Sequence, residues 1–522
     1  MKLHPLDIAA LLAYLVGMAA MGVYFSRKNV NTEEYFVGGR SFGGWIIGLS
    51  LVGTSISSLT FLAYPGDAFK TSWLRFLPCL MLPLGVFIAS RVFLPFFRRG
   101  KITSAYQYLE GRFGPSIRVY GCATFIIGQL VRVSMILYLL SLVVHEMTGL
   151  SPTMCILVGG GFVAMYTIIG GIDAVVWTDV IQTMVLVFGG LLCFAIIVDK
   201  LPGGLGQILS VAYAEGKFGF AENIDGVLHP VGWDLSLQRK TATMLLLIGL
   251  TNWLTEYSGN QNVIQRYCAS KSAREARKAM FVCAFSSVPI WAFYMLLGTS
   301  LFVFFHAFPS TEATEMLSGD RKAEQILPFF IMNHLPPGVT GLVIAAALAA
   351  AMSSLDSSIN AISTVGIVDI YRRLLVKDRD DRHYLKVAWG LACAAAVIMI
   401  GGAIILTKAD TMTLQDTGFV LASLMGGGIL GMYMLGFLTN WGDARAVWTG
   451  IVCTMLFTSW TLLSDKEVLP EALRFPFELY YTGLMGNIVM FFVGFAVGAL
   501  LPAKRRNLKN LTVWQQDGSP LD

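Results

Sequence analysis

The sequence predicts an all-α polytopic membrane protein with about thirteen transmembrane helices. Three observations lead there. Of 522 residues, 55% are hydrophobic and 14% charged, against about 25% charged in a soluble domain, and the mean hydropathy is +0.65. Apolar runs recur along the whole chain at lengths close to the ~20 residues a helix needs to cross hydrocarbon, not as the ~10-residue alternating segments of an outer-membrane barrel. The basic residues are distributed unevenly among the connections between those runs, as the positive-inside rule requires.

The candidate spans are 5-25, 42-65, 73-97, 117-148, 153-170, 175-198, 241-264, 279-306, 338-370, 385-406, 412-438, 446-463 and 476-501. The first is read as a retained helix and not a signal peptide, because its positive pair, Arg27 and Lys28, follows it and no small-residue cleavage pattern is present. With the N-terminus outside and the C-terminus cytoplasmic, Arg27, Lys28, Arg40, Arg98, Arg99, Lys101, the Arg266 to Lys278 and Arg372 to Lys386 stretches and Lys504 to Lys509 share one side, most of the 38 lysines and arginines. The net charge of +5 reflects this bias and implies no nucleic acid. The longest connections, about 199-240 and 307-337, are too short to hold a fused catalytic domain, so 1-522 reads as one polytopic membrane unit with a polar tail at 503-522. The eight cysteines show no ligand spacing.

Two spans are polar where hydrocarbon should forbid it. From Ala349 to Asn360, the span 338-370 carries four serines, Asp356 and Asn360. At 100° per residue, Ser353, Asp356, Ser357 and Asn360 share an arc of roughly 100°, a face of hard oxygens suited to a small alkali cation. In span 42-65, Gly53 and the hydroxyl residues Thr54, Ser55, Ser57, Ser58 and Thr60 interrupt the middle, and an unwound turn there would expose backbone carbonyls, tolerated at that depth only where they line a cavity or bind something. Span 241-264 has a polar interruption at Thr251 to Tyr257. It lies five spans after 42-65, the spacing of a five-plus-five inverted repeat with a broken first helix in each half, 42-198 and 241-438, flanked by an extra helix at 5-25 and two more at 446-501.

Several stretches then resemble the sodium/solute symporter family, whose fold is the LeuT-type inverted repeat: Glu34 to Arg40, Ser55 to Phe61, Thr103 to Phe113, Gly170-Gly171 through Gln182, Asn260 to Tyr267, and the serine run. The resemblance covers nearly the whole chain. It implies a sodium site made by the carbonyls of Gly53, Ile56 and Ala350 with the hydroxyls of Ser353 and Ser354, neutral oxygens that hold a hard ion weakly enough to release it. Some similar members bind a second sodium through an aspartate matching Asp179 and hydroxyls farther along the serine helix. Asp179 and Ser357 are present, but Asp356 stands where such members have serine. Asp356 could strengthen a cation site, carry a proton or pair with a neighbouring helix.

Arg132 sits at the centre of span 117-148, too deep to snorkel. It reads either as a buried ion pair with Glu256 or as a guanidinium fork for a substrate carboxylate, the latter matching the bacterial sialic-acid branch of the family. That branch is also similar in Ser55, Ser57 and Thr60, and Trp253 and Glu256 align with its solute-contacting region. The likeness fails where relatives carry an aromatic and an amide and this chain has Arg75 and Cys79; Arg75 points to a more anionic substrate or to snorkelling.

The resemblance thus implies a Na⁺-coupled symporter of the cell (inner) membrane that imports a small organic anion, sialic acid or a related sugar acid or carboxylate, by alternating access. The alternative is a neutral solute such as a sugar, polyol or amino acid. No nucleophile-base pair or cofactor motif points to an enzyme. Expected partners are Na⁺ as coupling ion, the solute and membrane lipid, with the chain acting as a monomer.

Overall fold

Asp7 shows how the first helix is anchored. Its carboxylate accepts the backbone N–H of His4 at 3.1 Å, closing a capping box at the start of helix α1 (Pro5–Ser26). Its other oxygen accepts the N–H groups of Gly338 and Gly341, at 2.7 and 2.8 Å. The computed structural model describes residues 3–99, 102–224, 227–408, 426–501 and 507–516. In chain order, its main helices after α1 are α2 (Gly44–Ser55), α3 (Ser58–Lys70), α4 (Leu82–Val92), α5 (Pro115–Thr148), α6 (Pro152–Lys200), α7 (Gly204–Ala214), α8 (Ala242–Gly259), α9 (Gln261–Ala269), α10 (Ala273–Ala307), α11 (Val339–Val365), α12 (Asp381–Lys408), α13 (Ile429–Leu438), α14 (Ala444–Asp465) and α15 (Thr482–Leu500).

Nine described helical runs are long and apolar enough to cross a bilayer, and α2 with α3 forms a further span bent by 55°. The bend falls at Ile56 and Ser57, inside the expected polar stretch. Spans 153-170 and 175-198 form one helical run, α6, turned at Gly171 with φ 59° and ψ −157°. Span 73-97 is compound: a 3₁₀ stretch (Leu74–Met81), α4 and a short helix (Leu94–Arg98). Residues 409–425, most of the first part of span 412-438, lie outside the described residues.

The second break differs from expectation. Helix α8 runs unbroken through Thr251 to Tyr257 and stops at Gly259, because Asn260, with φ −88° and ψ 113°, caps α9 by accepting the N–H of Asn262 at 2.9 Å. The threonines of α8 bond within the helix, Thr251 Oγ1 to Leu247 O at 2.9 Å and Thr255 Oγ1 to Thr251 O at 2.8 Å, so they interrupt its apolarity without interrupting its backbone.

Helix α11 is the core. Every residue from Ala349 to Ile367 is buried, and the helix continues as a π-helical stretch to Leu375. Its most extensive packing is on α6; α6 in turn packs on α1 and α2, and α10 packs on both halves of the bent span. The connection between α6 and α8 is not an unstructured loop: it holds α7 and a two-stranded antiparallel hairpin, β1 (Ala221–Ile224) and β2 (Val227–Pro230). Lys217, just before β1, donates to Phe69 O at 2.8 Å and Thr71 O at 3.2 Å and lies 3.9 Å from the centre of the Phe302 ring. It thereby satisfies carbonyls at the end of α3, and burial pulls its amine down to about 8.

At the arginine-rich end, Arg118 pairs with Asp369 at 2.6 Å and with Glu110, which also takes Arg373 at 2.6 Å. Residues 507–516 fold back there. Val513 N–H donates to Phe437 O, Trp514 Nε1 to Leu438 O, and Tyr108 Oη donates to Leu511 O.

Gly171 occupies a backbone region open essentially to glycine alone, and a Cβ there would lie 2.8 Å from the Tyr35 ring. Gly171→Ala is expected to cost about 1–3 kcal/mol of strain, measured as a lowered thermal unfolding midpoint in detergent.

Candidate functional site

The end of α2 supplies the first part of the site. Ile56 leaves helical geometry at φ −98° and ψ 105° after its N–H bonds Val52 O at 2.8 Å, so the carbonyls that follow Val52 lack partners in the helix. Ser353 on α11 reaches across: its hydroxyl donates to Gly53 O at 3.0 Å and lies 3.2 Å from Ala350 O. Ser354 Oγ is buried with no hydrogen-bond partner among the described residues, and Ile56 is buried at the same break. Residue type matters at Gly53, where a Cβ would lie 2.8 Å from Thr183 Oγ1 and 3.0 Å from Asp179 O. Only glycine lets α2 lie this close to α6.

Adjacent to these oxygens is a buried charge cluster. Asp179 Oδ2 accepts from Arg266 Nη2 at 2.6 Å and from Ser50 Oγ at 2.7 Å, and the same Nη2 donates to Ser357 Oγ at 2.6 Å. Arg266 Nε donates to Ser50 Oγ at 2.8 Å, and Nη1 to Asn262 O at 2.7 Å. Asp179 and Ser357 are therefore joined through a guanidinium. Asp356 accepts from Tyr166 Oη at 2.7 Å, Thr178 Oγ1 at 3.3 Å and Ser357 Oγ at 3.3 Å. Asp179, Asp356 and Arg266 are each at most 1% exposed, and Asp179 Oδ1 and Gln182 Oε1 have no hydrogen-bond partner. Two carboxylates thus face one guanidinium in a dry interior, where unmatched charge is costly.

The expected solute residues divide into groups. Thr60 Oγ1 accepts from Trp291 Nε1 at 3.2 Å; Trp291 stacks on Trp253 with centroids 5.4 Å apart; Trp253 Nε1 donates to Pro78 O at 3.0 Å. Ser55 Oγ lies 3.8 Å from Cys283 Sγ, and Ser57 sits between α2 and α3. Arg132 is not paired with Glu256. It is exposed and has no ion pair or hydrogen bond among the described residues, while Glu256 accepts from Asn260 Nδ2 at 2.5 Å. Gln129, one turn before Arg132, accepts from Ser358 Oγ at 3.0 Å, and since α5 and α11 run in opposite directions Arg132 and Ser354 lie on the same side of that contact. Arg75 stands apart in an ion pair with Asp67.

Sequence reasoning missed Arg266 as a site residue because it put that arginine in a basic loop. The structure buries it on α9; reading Asn260 as a helix cap would have kept the helix going past it. Tyr166, Thr178 and Gln182 carried no signal beyond being polar groups inside apolar spans.

The model of the Sodium:solute symporter family matches residues 35–437. The chain belongs to that family. It is 31% identical over 516 residues to the sodium/sialic acid symporter SiaT of Proteus mirabilis, covering 97% of this chain and 98% of that one. It is 29% identical over 511 residues to the sodium/sialic acid symporter NanT of Aliivibrio fischeri, covering 97% and 94%. A solved structure described as the substrate-bound outward-open state of a Na⁺-coupled sialic acid symporter, with a novel Na⁺ site, superposes with a TM-score of 0.86 at 29% identity, covering 97% of this chain and 100% of that one. The symporter is thus a multi-pass membrane transporter with sodium as its coupling ion. Its fold is shared more distantly with Mhp1, a nucleobase-cation-symport-1 transporter, at a TM-score of 0.55 and 12% identity.

Removing one member of a buried ion pair strands the other, at about 3–5 kcal/mol. Asp179→Leu should therefore lower the thermal midpoint of the symporter more than the double variant Asp179→Leu/Arg266→Leu does.

Proposed function

We propose that this protein is a Na⁺-driven importer of sialic acid or a closely related sugar acid, working by alternating access. The observation that carries the sodium part is the meeting of Ser353 Oγ with the Gly53 and Ala350 carbonyls at the break in the α2/α3 span. With the Ile56 carbonyl and the partnerless Ser354 hydroxyl, these neutral oxygens form a low-charge cage for Na⁺. An ion here bonds both a flexible break and the rigid α11, so its arrival stabilises one position of α2 against the core. A second cation position lies beside Asp356 and Asp179, with Ser357 between them; the buried Asp179 Oδ1, without a hydrogen-bond partner among the described residues, supports it.

The solute reading rests on Arg132, whose guanidinium has no counter-ion among the described residues and can take a carboxylate bidentately. Sialic acid is what the named relatives carry. Ser55, Ser57 and Thr60 on the broken span supply hydroxyl contacts, and Trp253 on its stacked partner closes the cleft on one side, with Glu256 at the second break. Since Na⁺ and solute bind the same broken element, each tightens the other by the same factor.

The finer architecture follows the same reading. Taking α6, about 74 Å long at 1.5 Å per residue, as two passes, each broken pair as one, and 412-438 as another gives thirteen spans. The breaks at Ile56–Ser57 and Asn260 support two inverted halves, 42-198 and 241-438, with 5-25 and 446-501 outside the repeat. The arginine-rich end faces the cytoplasm, the N-terminus lies outside, and the working unit is a lipid-embedded monomer.

Ser353→Ala and Ser354→Ala should each weaken Na⁺ affinity at least tenfold, about 1.4 kcal/mol or more, and abolish Na⁺-driven uptake in proteoliposomes; unchanged uptake in both would overturn the sodium site. Arg132→Ala should abolish uptake of sialic acid while Na⁺ still raises the thermal midpoint. Undiminished uptake of sialic acid would overturn the role given to Arg132, and accumulation of a neutral sugar but not of sialic acid by the wild type would favour the neutral-solute reading.

A further inference from the structure

Past the Trp253 indole, toward the start of α8, lies a cavity of about 750 Å³ lined in part by Leu245 and by Pro78, the residue whose carbonyl holds the Trp253 indole. Its volume falls within the ~300–1,000 Å³ range of small-molecule sites. Its charged walls come from four separate parts of the chain. Arg75 pairs with Asp67; Lys240 pairs with Glu222 at 2.8 Å and lies 5.0 Å from the centre of the Tyr480 ring. Lys70, half-buried at the end of α3, has no ion pair or hydrogen bond among the described residues. Glu324 is near enough to act on the Asp67–Arg75 pair but does not line the cavity.

Two of the three lining cations are thus matched and the third is not. A cavity with low-dielectric walls and one unmatched ammonium concentrates anions and speeds their arrival. The Asp67–Arg75 pair leaves the guanidinium 40% exposed, so a carboxylate can lie against Lys70 with Arg75 as a second donor. The Tyr480 ring, 55% exposed, offers an apolar face to the carbon skeleton. We propose that this cavity is a docking site for the carboxylate of the sugar acid, occupied before the solute passes the Trp253–Pro78 contact into the cleft. The proposal rests on the organic-anion reading of the function. It makes Lys70 a capture residue rather than a ligand of the transported state, and movement of the Trp253 indole off Pro78 the step that joins the two compartments.

The test compares Na⁺-driven sialic acid uptake by the full chain and by Lys70→Gln and Lys70→Arg in proteoliposomes. Loss of the charge should raise KM about three- to tenfold with kcat within about twofold, because a charge at the rim changes capture more than the later steps; Lys70→Arg should restore KM. A KM unmoved in Lys70→Gln, or raised equally in Lys70→Arg, overturns the docking site. A second measurement needs no variant: at constant Na⁺, raising choline chloride from about 0.05 to about 0.3 M should raise the wild-type KM about two- to threefold through screening, and a flat KM overturns the proposal. Failure of the wild type to accumulate sialic acid at all overturns the anion reading and this proposal together, whereas uptake by the wild type with KM insensitive to Lys70 and to salt overturns the docking site alone.

Discussion

A backbone carbonyl set free inside a bilayer has no water to bond, and the relation of α2 to α11 follows from that constraint. Where α2 ends at Ser55, the Gly53 carbonyl is met by Ser353 from a helix buried on all sides. The contact demands a close approach, hence glycine at 53 against α6 and alanines at 349 to 351 before the serines. It also gathers two backbone carbonyls, of Gly53 and Ala350, within hydrogen-bond distance of one hydroxyl, so α2 is tied to the core helix through neutral oxygens alone at this point.

Behind it, charge is balanced less simply. Arg266 spans Asp179 and Ser357, and Ser50 bonds both the arginine and the aspartate, so α2, α6, α9 and α11 converge on one guanidinium. This cluster joins elements of both halves of the chain at the depth of the broken span. Thr60, on the second half of that span, begins a continuous chain of hydrogen bonds and ring contact through Trp291 and Trp253 to Pro78. The one bent element thus carries both the Ser353 contact and this aromatic chain.

The membrane class, the long apolar helices and the first break were legible because each is a matter of local composition: apolar length, basic flanks, and glycine among hydroxyls. The serine face of α11 stood out because one helix cannot hide four serines in hydrocarbon, and it is from this face that Ser353 reaches the Gly53 carbonyl. The second break was misplaced because polarity and backbone rupture are different properties. Thr251 caps its own helix backbone, whereas Asn260 ends the helix by offering a better partner to the next one. Arg132 could be singled out but not resolved, since whether Glu256 or nothing answers it depends on how α5 and α8 sit in space. Arg266 needed that same three-dimensional information, and its neighbours in sequence argued for the wrong compartment.

The segment at 507–516 has a mechanical meaning. It bonds Tyr108, which lies between the third and fourth spans, as well as Phe437 and Leu438 at the end of α13, while Tyr108 itself stacks on Tyr433. Elements far apart in the chain are therefore stapled together at one end by a segment of turns. Parting Tyr108 from Phe437 would cost a bond of this staple, Tyr108 to Leu511 or Val513 to Phe437.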